Sequence, residues 1–173
     1  IPKDITHVRV DPSITIISNH AFYDCTHLQE VELFQGLLEI QDRSFRNCTS
    51  LKYITLPSTV KVIDDSAFRD CTSLIEVRLS SGKSFDDGDR YHSCDLVQIG
   101  WGAFMNCKSL RSIKVPSSVT EIGHEAFRNC TSLQNVDLCH GVQYIKKEAF
   151  YNCMALREIG IPSSVKVIGT SAF

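Results

Sequence analysis

A phrase of eight residues recurs along this chain, and its regular spacing limits the fold more than any other feature of the sequence. It reads AFRDCTSL from Ala67 and AFRNCTSL from Ala126, and its phenylalanine recurs every 23 residues, with a single interval of 36. These phenylalanines are Phe22, Phe45, Phe68, Phe104, Phe127, Phe150 and Phe173. A fixed period of about 20 to 50 residues is typical of solenoids. The longer interval indicates one unit that carries an insertion.

The other apolar residues of the unit keep the same spacing. Isoleucine lies five residues before each phenylalanine, and cysteine and leucine lie three and six residues after each one except the last. Two aliphatic residues two positions apart then follow, an alternation that is typical of a short strand with one buried face. The cysteines of this row are Cys25, Cys48, Cys71, Cys107, Cys130 and Cys153.

A unit of this length is too small to enclose a core by itself. Each buried Leu, Ile or Phe side chain contributes about 1.5–3 kcal/mol, whereas ordering each backbone residue costs about 1–2 kcal/mol. The apolar rows must therefore pack against the same rows of the neighbouring units. We expect residues 1–173 to form a single array.

The repeated pattern LxxVxLPxxVxxIxxxAFxxCxxL resembles the BspA-like, or type 5, leucine-rich repeat family. The resemblance implies a curved solenoid of about seven units. It places a parallel β-sheet on the concave side and short helical turns and short strands on the other side. The expected concave strands are Val8–Val10, Val31–Leu33, Ile54–Leu56, Val77–Leu79, Ile113–Val115, Val136–Leu138 and Ile159–Ile161.

The array begins and ends within a unit. Its first unit lacks the phenylalanine half, and its last unit stops at Phe173. Terminal units of solenoids need polar caps, and neither end of this sequence offers one. We therefore expect the chain to be a fragment that lacks both caps.

The longer interval places a polar insertion at about residues 80–95. Phe85, Tyr91 and His92 are the residues there best suited to anchor a partner. The alternative is a solvated loop that the array tolerates, because additional loop length costs little. The acidic, His and Cys residues of the insertion match neither an EF-hand nor a zinc pattern, so we expect no metal site.

Composition and motifs exclude several classes of function. The chain has 18 Lys+Arg against 20 Asp+Glu, a net charge of -2, whereas nucleic-acid binders carry a basic excess. No apolar run approaches the ~18 residues of a membrane span. No G-x-S-x-G elbow, phosphate loop or H-E-x-x-H motif is present. We therefore expect neither an enzyme nor a cofactor.

Polar and thiol residues of the unit have structural explanations. We interpret the cysteine row as small apolar residues of the core. An Asn or Asp precedes each of these cysteines, and we expect its side chain to bond main-chain groups at a corner. Asn47 and Asn129 begin Asn-Cys-Thr sequons, so N-glycosylation at both is open if the chain is secreted.

The outward residues of the concave strands form the candidate partner-binding face, because they alternate with the buried ones. Tyr53 and Arg78 are of the types that commonly anchor protein partners. The residues predicted for this face are Glu30, Glu32, Tyr53, Thr55, Glu76, Arg78, Lys114, Asn135, Asp137 and Glu158.

These observations favour a non-enzymatic recognition module that binds a protein. The family resemblance implies a cell-surface or extracellular adhesion role. The alternative is an intracellular structural or scaffold subunit of a larger assembly, because a thiol-rich core suits a reducing compartment.

Overall fold

The computed structural model describes residues 2–79 and 95–173, which form successive coils of a parallel β-solenoid. Each coil contributes one strand to each side of the array, except that the coil of Val167–Ile168 has none on the concave side. The strands of the concave side are β1 (His7–Arg9), β3 (Glu30–Glu32), β5 (Tyr53–Leu56), β7 (Glu76–Leu79), β9 (Ser112–Val115) and β11 (Asn135–Leu138). Those of the opposite side are β2 (Ile16–Ile17), β4 (Glu39–Ile40), β6 (Val62–Ile63), β8 (Gln98–Ile99), β10 (Glu121–Ile122), β12 (Tyr144–Ile145) and β13 (Val167–Ile168).

The strand register follows the repeat of the sequence. On the opposite side, the two-residue strands form one parallel sheet in the order β2-β4-β6-β8-β10-β12-β13. Ile40 pairs with Ile63, and Ile63 pairs with Ile99 across the insertion. The row of isoleucines therefore continues unbroken past the insertion.

On the concave side, the strands form two parallel sheets, β1-β3 and β5-β7-β9-β11. The strand expected at Ile159–Ile161 is absent, since this described segment carries no strand. It follows β11, the last concave strand that the structure describes. Gly160 lies at its outward position, and glycine weakens a strand because it has no side chain to pack.

The core is built around a stack of phenylalanine rings. Neighbouring rings lie 4.8–5.5 Å apart between centroids and within 3–10° of parallel, from Phe22 to Phe173. Aromatic pairs at this separation attract each other beyond the area that they bury. The leucine, isoleucine and cysteine rows pack beside the stack and are buried in the inner coils.

The AFxxC phrase forms turns and not the helical turns that the family resemblance implied, and residues 2–79 and 95–173 contain no helix. Alternate N–H groups of the phrase donate to the next coil: Phe22 to the Ser44 carbonyl at 2.7 Å and Asp24 to the Arg46 carbonyl at 2.9 Å. A helix would need those donors within its own turn. Asp24 also has φ of 59°, in the left-handed region that a right-handed helix cannot continue through.

The cysteine row adds hydrogen bonds to the core. Cys48 Sγ donates to the Phe22 carbonyl of the preceding coil at 3.2 Å. Cys71, Cys107, Cys130 and Cys153 repeat this bond at 3.1–3.2 Å, each to the stacked phenylalanine of the preceding coil. All six cysteines of the row are buried, and no disulfide joins any of the described cysteines.

Burial changes the acidity of these thiols. It raises the pKa of Cys71, Cys107 and Cys130 well above the ordinary range, because a thiolate there would lose its water. The same desolvation raises the pKa of Cys153 to about 12. These four thiols are therefore protonated and poor nucleophiles at neutral pH.

We predict that Phe104→Ala destabilises the protein by about 3–5 kcal/mol, as expected for truncation of a buried ring. Phe173→Ala is the matched control, because Phe173 stacks on one side only and is 49% exposed. Urea unfolding measures both variants. Equal losses of stability in the two variants would contradict a continuous stack that is buried inside the array.

We predict that the free energy of unfolding falls above about pH 9, where unfolded cysteines lose protons that the buried thiols retain. Each such thiol contributes a slope of about 1.4 kcal/mol per pH unit until its folded-state pKa is reached. Urea unfolding between neutral and alkaline pH should show a shallower fall for Cys107→Ala. Leu110→Ala removes a buried side chain that does not titrate and should leave the slope unchanged, so a parallel fall in both variants would refute the prediction.

Candidate protein-binding face

The concave face is defined here as the solvent-facing side chains of β3, β5, β7, β9 and β11, together with Glu158 beyond them. The structure exposes Glu30, Glu32, Tyr53, Thr55, Arg78, Lys114, Asn135, Asp137 and Glu158, and it leaves Glu76 half-exposed. The intervening strand residues point into the core, as period-two alternation requires. Ten side chains predicted from the sequence are therefore available to solvent along one side of the array.

Charged residues pair across neighbouring strands of this side. Lys114 Nζ lies 3.8 Å from Asp137 Oδ2, and Arg9 Nε lies 3.3 Å from Glu32 Oε2. The Arg9 guanidinium also lies 5.1 Å from the centre of the Phe34 ring. The sequence analysis missed Arg9 and Phe34, although the 23-residue register already places Arg9 opposite Glu32. Exposed pairs of this kind contribute little to stability, and they leave the face with both signs of charge.

A three-residue cluster lies near the middle of the concave face. Arg78 donates from Nε and Nη2 to Glu76 Oε2 at 3.0 and 2.8 Å, and its guanidinium lies 5.5 Å from the centre of the Tyr53 ring. The Arg78 hydrogen bond lowers the pKa of Glu76, and Glu76 raises the pKa of Arg78. Tyr53 remains 48% exposed. The cluster thus presents an aromatic ring whose guanidinium neighbour is already held in place.

The sheet opens beside this cluster. β5 pairs with β7, and β9 with β11, over four residues each, but β7 and β9 pair only at Glu76 and Ser112. A depression of about 390 Å³ lies there, and Arg78, Leu79 and Lys114 are among its lining residues. The sequence signal for it is the longer interval of the repeat, because the insertion follows Leu79 directly in the sequence.

The insertion residues Phe85, Tyr91 and His92 lie outside the described residues. Among residues 2–79 and 95–173, no three His, Cys, Asp or Glu side chains are grouped so that they could hold a metal ion together. The same two ranges contain no helix that is long and apolar enough to cross a membrane.

A ladder of Asn and Asp side chains runs along the turns of the array. The sequence analysis expected these side chains to bond the main chain, but they bond each other between coils. The donor and acceptor pairs are Asn47–Asp24, Asn106–Asp70, Asn129–Asn106 and Asn152–Asn129, with N to O distances of 2.6–2.9 Å. All of these residues have positive φ, a conformation that Asn and Asp tolerate better than most residues.

Both sequon asparagines belong to this ladder. Asn47 and Asn129 are half-buried, and the Nδ2 atom of each donates to the preceding coil. A glycan is attached through that same atom. It would take one of the two hydrogens on Nδ2 and would need space beside the neighbouring coil.

Parallel coils of 23 residues with strands on two sides and a stacked phenylalanine row define a leucine-rich-repeat solenoid. The model of the BspA type leucine rich repeat region matches residues 2–99 and 91–173, with six copies of the repeat. The chain belongs to this family. Its repeats are generally non-catalytic, and leucine-rich-repeat proteins typically bind other proteins. No curated protein matches the chain.

Solved structures share the fold. A leucine-rich repeat protein from Eubacterium ventriosum has a TM-score of 0.82 at 20% identity over 97% of this chain and 42% of its own. The T. pallidum leucine rich repeat protein has a TM-score of 0.73 at 30% identity over 88% of this chain and 65% of its own. The pneumococcal vaccine antigen PcpA has a TM-score of 0.60 at 24% identity over 94% and 40%. The chain spans less than two thirds of each of these proteins.

We predict that Glu76 titrates below the ordinary glutamate pKa and that Arg78→Met raises its pKa back towards the ordinary value. Methionine keeps most of the apolar length of the side chain and removes the guanidinium hydrogen bonds. Carbonyl-detected NMR measures the titration. Lys114→Met removes a positive charge that makes no bond to Glu76 and serves as the control. A Glu76 pKa that is the same with and without Arg78 would contradict the cluster.

Proposed function

We propose that this chain is a non-enzymatic recognition module that binds a protein partner through its concave face. The observation that carries the proposal is the Tyr53–Arg78–Glu76 cluster beside the opening between β7 and β9. Tyrosine and arginine dominate protein–protein hot spots. Because Glu76 already holds Arg78, less side-chain freedom is lost on binding, which favours affinity.

The charge pattern supports a protein as the partner. Glu32, Glu76, Arg78, Lys114 and Asp137 place both signs of charge within one surface. A polyanion such as a nucleic acid would meet carboxylates there as often as cations. A protein surface with its own mixed charges can match such a pattern, and this matching gives specificity.

The family resemblance extends the proposal to adhesion at a cell surface. The thiol row, which first favoured a reducing compartment, is compatible with both locations. Its cysteines are buried and hydrogen-bonded to the main chain, so an external oxidant cannot reach them without unfolding the coil. The buried thiols therefore do not distinguish a cell-surface location from an intracellular one, whereas the location of the protein partner does.

The first step of the test is a photo-crosslinking residue placed at Thr55, next to the cluster, and at Tyr151, an exposed residue of the turn side. We expect the Thr55 probe to capture a protein that the Tyr151 probe does not. The cell fraction that supplies this protein separates a surface adhesin from an internal scaffold.

The second step is titration of the captured protein against variants. We predict that Tyr53→Ala and Arg78→Ala each weaken binding by about 30-fold, as expected for hot-spot residues. Tyr151→Ala should bind like the parent chain, and circular dichroism checks the fold of each variant. Unchanged affinity in both concave variants would refute the proposal.

A further inference from the structure

A second depression lies on the opposite side of the array, away from the concave face. It has a volume of about 530 Å³ and is formed by the two coils that contain β8 and β10. This volume is in the range of small-molecule sites. The side chains that shape it are Val97, Gln98, Trp101, Thr120, Glu121 and His124.

Two glycines form the floor of this depression. A Cβ atom on Gly100 would lie 2.6 Å from Asp65 Oδ1, and one on Gly123 would lie 2.6 Å from the Gly100 carbonyl oxygen. The coils approach too closely for any side chain at these positions. The equivalent positions of other coils carry Ser18, Gln41, Asp64, Lys146 and Gly169, so only the coils of β8 and β10 place two glycines side by side. The floor is therefore bare backbone between walls of side chains.

Trp101 forms one wall of the depression, and the repeat pattern does not call for a tryptophan at this position. It is 38% exposed. The residues three positions before the stacked phenylalanine in other coils are polar: Asn19, Asp42, Asp65, His124, Lys147 and Thr170. The Arg69 guanidinium lies 5.7 Å from the centre of the indole ring but does not line the depression. Arg69 thus holds the ring from outside, and the ring borders the open space.

The polar groups around the ring are suited to an uncharged ligand. Glu121 is paired with Lys146 at 3.1 Å, and Asp65 Oδ1 accepts the Trp101 main-chain N–H at 2.7 Å. Both carboxylates near the ring therefore already have partners. Gln98 and His124 are exposed and offer amide and imidazole groups that can donate and accept hydrogen bonds.

We propose that this depression binds an uncharged carbohydrate, with one sugar ring against Trp101. The apolar C–H face of a pyranose fits an indole ring, and its hydroxyls need neighbouring groups that both donate and accept. Gln98, Thr120 and His124 are placed to supply them. The site is independent of the proposed concave face, because it lies on the other sheet of the solenoid.

Trp101 is the single tryptophan of the chain, so intrinsic tryptophan fluorescence reports directly from the depression. The probes are maltotriose, cellotriose, lactose and triacetylchitotriose, each titrated into the intact chain. We expect a saturable change in emission with at least one of them, at a Kd of about 0.1–10 mM. No saturable change with any of the four, or only a linear drift, overturns the proposal.

Variants separate this site from a nonspecific effect. Gln98→Ala retains the tryptophan and should weaken binding about tenfold. Tyr151→Ala is the matched control, because Tyr151 is another exposed ring with an arginine, Arg128, at 4.9 Å, and it should leave the titration unchanged. Calorimetry on Trp101→Ala should show no binding heat. Binding that is as tight in Gln98→Ala as in the parent chain overturns the proposal.

Discussion

Each inner phenylalanine ring lies between the rings of the coils before and after it, and its main chain is bonded to the coil that follows. The Phe104 amide donates to the Ala126 carbonyl at 2.8 Å, and the Phe104 carbonyl accepts the Cys130 thiol. Ring stacking, the amide hydrogen bond and the thiol hydrogen bond thus join the same two coils at one position. No coil can bury its apolar rows without its neighbours: Ile145 pairs with Ile122 and Ile168 of the coils on either side and is fully buried.

Because successive coils carry the same core residues, the differences between coils that can serve a function lie on the surface. The opening between β7 and β9 and the depression beside Trp101 both lie where the sequence departs from the 23-residue repeat. The sheet opens between β7 and β9, the two strands that the insertion separates in the sequence. The depression beside Trp101 begins in the coil that follows the insertion, where glycine replaces larger residues on two successive coils. The solenoid therefore supplies a rigid frame, and its irregular coils supply the candidate binding surfaces.

The 23-residue period predicts the features that depend only on which residues occupy equivalent positions in successive coils. It places the phenylalanine and cysteine rows in the core, sets the strand register, and exposes Tyr53 and Arg78. It does not predict which carbonyl accepts a given N–H, so it could not correct the helical turns that the family resemblance implied around Phe22. It also does not show the loss of pairing at residues 159–161, where Gly160 weakens the expected strand. The two depressions depend on distances between coils, which a linear pattern does not contain.

Hydrogen exchange at the phenylalanine amides tests the stacking of coils most directly. The N–H groups of Phe22, Phe45, Phe68, Phe104, Phe127 and Phe150 each donate to the coil that follows, at 2.7–2.8 Å. Those of the inner coils should exchange only through global unfolding, at a rate set by the full free energy of unfolding. The Phe150 amide depends on the last coil and should exchange faster. Rapid exchange of Phe68 and Phe104 in the folded protein would contradict a solenoid held together by bonds between coils.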